Sequence, residues 1–127
     1  MSEQKHTFVA SFLKDAKFEG GGLRDYFVDR DLGIDKATGG MVTAIVHRAS
    51  APCPDDGPRH IHKVDFQMNY MLKGWCKFEF EGQGEIVFNV GDSWLQPPGI
   101  PHTLLEYSDD FEVLEIVMPG TFETEDL

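Results

Sequence analysis

The last fifty residues contain no lysine or arginine, while twelve Asp and Glu run from Glu79 to Asp126. The first 77 residues sum to about +1, so the formal net charge of −11 belongs to the second part of the chain. A chain this acidic repels phosphate backbones and anionic bilayers, which argues against nucleic acid and membrane surfaces as partners. Cysteine is scarce too. Cys53 and Cys76 have no CxxC spacing, and two thiols do not make a disulfide framework. Both read as reduced, Cys53 in a loop between prolines and Cys76 as filler in a strand. No apolar run approaches the ~18 residues of a membrane helix. The opening Met-Ser-Glu-Gln-Lys-His lacks the layout of a secretion signal. These absences together point to the cytoplasm.

Long amphipathic helical patterns are also missing. What is there is a series of short segments rich in β-branched and aromatic residues, punctuated by thirteen glycines and seven prolines. Expected strands are Leu23 to Asp31, Met41 to Arg48, Phe66 to Leu72, Trp75 to Phe80, Glu85 to Val90, Ser93 to Gln96, His102 to Tyr107 and Phe111 to Met118. In the fourth, Cys76, Phe78 and Phe80 alternate with Trp75, Lys77 and Glu79, the pattern of a half-buried strand. Phe8 to Phe18 reads as one short helix or a first strand. With 127 residues there is room for one domain. Its core barrel is expected over about 23–118, an N-terminal arm over 1–22 and an acidic tail over 119–127. Many short strands with tight turns imply an all-β sandwich or closed barrel, and closure removes exposed edges.

His60 and His62 follow the turn residues Asp55-Asp56-Gly57-Pro58. In extended chain they share a face, about 6.6 Å apart, close enough for two imidazoles to meet on one ion. An isolated pair of this kind is more often two surface histidines. A third, His102, follows the rigid corner Pro97-Pro98-Gly99-Ile100-Pro101.

At these residues the sequence resembles the cupin family. The family's first motif, G-x5-H-x-H-x(3,4)-E-x6-G, falls on His60, His62, Gln67 and Gly74, with Pro54 in place of the leading glycine. Its second, G-x5-P-x-G-x2-H-x3-N, falls on Gly91, Pro97, Gly99, His102 and Glu106. Every spacing of the second is kept, and four of its five identities. The resemblance implies a jelly-roll barrel, or double-stranded β-helix, with little helix. It also implies a site for one divalent transition metal ion at His60, His62, Gln67 and His102.

Gln67 stands where the family carries a carboxylate. An amide oxygen is a neutral donor, so such a site suits Fe, Ni, Zn or Cu over Mg or Mn, and favours an anionic ligand in the open positions. Gln67 either is a ligand or hydrogen-bonds a metal-bound water, or it stands aside from a three-histidine face. Glu106 lies about 13 Å along its strand from His102, too far to share the ion. It is either a mouth carboxylate acting as a base or a solvated side chain turned outward by a bulge. If Gln67 faces inward, Asn69 and Met71 share its face, with Phe78, Phe80 and Trp94 completing the lining and Tyr70 facing out.

The expected function is a metal-dependent oxidoreductase of the dioxygenase type acting on a small, anionic molecule. The alternatives are a lyase, decarboxylase or isomerase using the ion as a Lewis acid, and a non-enzymatic small-ligand binder. The resemblance further implies a homodimer, with Phe8 to Leu13 crossing to the partner.

Overall fold

The computed structural model describes residues 6–20, 22 and 24–127. Leu23, where the first expected strand begins, lies outside them. Ten strands form among the described residues: β1 (Phe27–Asp31), β2 (Thr43–Ala49), β3 (His60–Lys63), β4 (Phe66–Lys73), β5 (Trp75–Phe80), β6 (Gly84–Asn89), β7 (Ser93–Leu95), β8 (His102–Tyr107), β9 (Glu112–Met118) and β10 (Glu123–Asp126). Among the described residues, helix is confined to the short α1 (Ile34–Ala37) and a 3-10 turn at Leu13–Asp15. None of the helices among the described residues is long and apolar enough to cross a membrane.

Two five-stranded sheets face each other, ordered β1-β2-β9-β4-β7 and β10-β3-β8-β5-β6, with antiparallel pairing throughout. Apart from the hairpins β1-β2 and β5-β6, consecutive strands alternate between the two sheets, the jelly-roll arrangement. Gly74, between β4 and β5, has φ +67°, and any side chain there would collide with Ser108 Oγ. That hydroxyl accepts the Trp75 N–H at 2.9 Å, tying the turn to the far end of β8. Met71, Cys76, Phe80, Phe88, Tyr107, Phe111 and Val113 build the apolar core, with strands of both sheets contributing.

Phe8 to Phe18 is neither the helix nor the strand expected of it. Phe8, Phe12 and Leu13 stay exposed, so no buried face rewards a regular element. The arm is held by its backbone instead, through Thr7 N–H to Ala37 O and a Glu19–Asp29 bridge. At the other end, residues 123–126 of the acidic segment pair with β3 as strand β10.

Candidate metal centre and cavity

Alternation along β3 places His60 and His62 on one buried face with Ile61 between them. His102 opens β8 directly opposite His60. Its position is set by the proline corner: the Gly99 N–H reaches His62 O at 3.2 Å, and the Gln96 N–H reaches Gln67 O at 2.9 Å. The three rings therefore meet, with centroids 4.1 to 4.9 Å apart. One nitrogen from each lies within 4.8 Å of the other two. Atoms that share an ion at about 2.1 Å stand roughly 3–3.5 Å apart, so a small contraction suffices.

The outer nitrogens are anchored. His60 Nδ1 donates to Pro58 O at 2.9 Å and His102 Nδ1 to Ile100 O at 3.0 Å. His62 Nδ1 faces Thr124 Oγ1 at 3.0 Å. Donation from Nδ1 leaves the Nε2 lone pair to face inward, as a metal ligand requires. The Gln96 amide nitrogen lies 3.2 and 3.1 Å from the two ring nitrogens of His102. Near-equal distances put it over the ring face rather than in line with either lone pair. Burial lowers all three imidazole pKa values, to about 4 for His62 and about 3 for His102. The rings are thus neutral at pH 7, the state that binds metal.

The opposite wall carries a polar ladder across four neighbouring strands. His47 on β2 places Nδ1 2.7 Å from Asp29 Oδ1 and Nε2 3.0 Å from Glu115 Oε1. Carboxylates only accept, so both ring nitrogens must carry protons and His47 is an imidazolium. Burial works against that charge, but Glu115 and Asp29 outweigh it and push the pKa up to about 10. Burial would raise the pKa of Glu115, but the charge and hydrogen bond of His47 override it and hold the carboxyl below its usual range. The Gln67 amide nitrogen donates to the other Glu115 oxygen at 2.8 Å. That fixes the amide orientation and leaves Gln67 Oε1 buried with no protein partner.

Triad and ladder share one cavity of about 320 Å³, also lined by Arg24, Asn69, Phe78, Trp94, Gln96 and Leu104. A larger, open groove of about 670 Å³ runs along the N-terminal arm, but no histidine or cysteine is among its described lining residues. Of the residues expected at the site, His60, His62, His102, Gln67, Asn69, Phe78 and Trp94 line the cavity. Met71 does not. It is fully buried in the core, where Cys76 Sγ donates to its sulfur. Phe80 is core as well, stacked against His102 from outside the cavity at 6.0 Å. Glu106 is exposed and absent from the wall. A register shift pairs Lys77 with Glu106 but Phe78 with Leu104, and the extra residue turns Glu106 outward. His47, Glu115 and Arg24 were not singled out from the sequence. Glu115 did carry a signal, as a charge sharing strand parity with Val113 and Val117.

Neutral, pre-oriented imidazoles, with an unpartnered amide oxygen on the same cavity lining, fit a divalent transition ion. Residues 51–118 match the family described as Cupin domain. No curated protein matches the sequence. Among solved structures, the polyketide cyclase RemF from Streptomyces resistomycificus is similar at 17% identity, 95% of this chain, 86% of that one and a TM-score of 0.73. KdgF from Halomonas sp. has 17% identity, covers 89% and 94% of the two chains and has a TM-score of 0.68. A salicylate 1,2-dioxygenase from Pseudaminobacter salicylatoxidans has 12% identity and a TM-score of 0.65 over 85% of this chain but 32% of its own.

Proposed function

We propose, proceeding from the fact that this chain belongs to the cupin family, that it is a metal-dependent enzyme oxidising a small molecule with O₂. His60, His62 and His102 hold the ion, and Gln67 Oε1 supplies a fourth, neutral ligand. The observation that carries this reading is the donor set. Three imidazoles and an unpartnered amide oxygen bring no charge to the ion, which suits Fe²⁺ over Mg²⁺. A bound ferrous ion supplies open positions for a chelating substrate and for O₂. The chain supplies the rest. Pro58, Ile100 and Thr124 orient the three rings, and Glu115 orients Gln67. Phe78, Trp94 and Leu104 keep the cavity apolar around them.

Protein from iron-replete cells, purified without chelator or metal-affinity tag, should carry about one equivalent of iron. The His60→Ala/His62→Ala variant should carry none. An oxygen electrode with small organic acids and diketones then tests the chemistry, and iron-loaded protein that consumes no O₂ with any of them sinks the oxidative reading.

The His47–Glu115 pair favours a second reading. A buried proton holder on the wall facing the ligands suits a lyase, decarboxylase or isomerase with the ion as Lewis acid. Turnover by zinc- or nickel-loaded protein without O₂ identifies it. Exposed Phe8, Phe12 and Leu13 support assembly as a homodimer through the N-terminal arm, which gel filtration at micromolar concentration tests. The free thiols Cys53 and Cys76 fit the cytoplasm.

A further inference from the structure

Arg24 lies on the cavity wall with the three histidines, just ahead of β1. Its side chain is 19% exposed, and the nearest acidic oxygen, Asp126 Oδ1, is 3.6 Å from Nη2. That nitrogen is buried and has no hydrogen-bond partner. A buried guanidinium N–H left unpaired is costly, and such a group commonly marks a function. After burial, the Arg24 charge is among the causes that depress His60 and His62, so it is felt at the metal centre.

At this point the guanidinium has a charge partner, Asp126, but no hydrogen-bond partner at Nη2. His47 is the other cation on the described wall, and Asp29 and Glu115 already match it. No lysine lines the cavity among the described residues. Arg24 therefore faces the interior with nothing of opposite sign hydrogen-bonded to Nη2. The space beside it is small and largely aromatic, bounded by Tyr26, Phe78, Trp94 and Leu104.

We propose that Arg24 is the anion-binding and specificity-determining residue of the cavity, and that its ligand is a small organic carboxylate. The carboxylate pairs with the free guanidinium edge, and the apolar body packs on the aromatic wall. One open guanidinium edge, with Asp126 already 3.6 Å away, suits a monoanion better than a phosphate dianion. The inference deepens the proposed function by naming its substrate class and rests on the same cavity, but not on the identity or presence of the ion.

The test is calorimetric titration of zinc-loaded and metal-free protein with benzoate, its neutral isostere benzamide, and inorganic phosphate. Wild-type protein should bind benzoate at least about tenfold more tightly than benzamide, as one charge-assisted pair supplies. Arg24→Gln should erase that preference and leave benzamide unchanged, while Arg24→Lys, which keeps the charge, retains most of it. The preference should persist without metal. Failure of the histidines to take up zinc would then refute the ligand set and leave the role of Arg24 intact. The proposal is overturned if benzoate binds no better than benzamide, if phosphate is preferred to benzoate, or if Arg24→Gln keeps the preference.

Discussion

At the scale of single residues, the glutamine at position 67 has a physical reason. Glu115 faces it at hydrogen-bond distance, and a carboxylate there can be met only by a donor. A glutamate at 67 would set two acids against each other, and one would have to hold a proton. Gln67→Glu should therefore destabilise the fold by about 1–3 kcal/mol. The exchanged pair Gln67→Glu with Glu115→Gln should recover most of it, because donor and acceptor merely trade places. Urea denaturation of the two single variants and the double variant checks this; strictly additive effects would refute it. His47 gives a second expectation. Its pKa rises from an ordinary 6.5 to about 10 on folding, so its stabilisation is complete below about pH 6.5 and lost as pH climbs through 10. The wild-type unfolding free energy should fall across pH 7–10 by up to ~1.4 kcal/mol per unit. His47→Gln should flatten that slope. His60, His62, Gln67 and His102 could be found because each falls in a short motif of fixed spacing that the family resemblance joins into one site. His47 and Glu115 could not be matched, since 68 positions separate them and only the strand order makes them neighbours.

At the scale of elements, the strands were readable wherever alternation and glycine turns coincided. Trp75–Phe80 and His102–Tyr107 form over the residues expected. Two features were not readable in this way. The bulge in β8 that separates Glu106 from the face of His102 was only one of two alternatives, because nothing in the sequence marks its place. Strand β10 hides in an acidic stretch with low β-propensity and forms because β3 offers it an edge. That strand carries Thr124, whose hydroxyl meets His62 Nδ1, and it follows Phe122, whose ring packs edge-on against His62 at 5.4 Å. Thr124→Val keeps the shape and deletes the hydroxyl. It should weaken zinc binding by about tenfold with little change in fold, measured by competition against a chromophoric chelator. Unchanged affinity would show that β10 only covers the ring.

At the scale of the whole molecule, the count and spacing of strands gave an all-β sandwich or barrel and the family resemblance made it a jelly roll, whereas the cavity's polar wall depended on which strands became neighbours. One feature of the second sheet joins fold to site. Among the described residues, β3 and β8 are paired through a single position, and it is His60 opposite His102. The sheet is thus two ribbons, β10-β3 and β8-β5-β6, meeting at the residues proposed to grip the ion. A cation there would act as a rivet across the barrel's thinnest seam. Zinc should raise the melting temperature by several degrees at saturating concentration and slow amide exchange in β3 and β10 more than in β5 and β6. Occupancy and closure of the shell would then be one equilibrium, so a cell that starves this protein of metal would leave it open along that line.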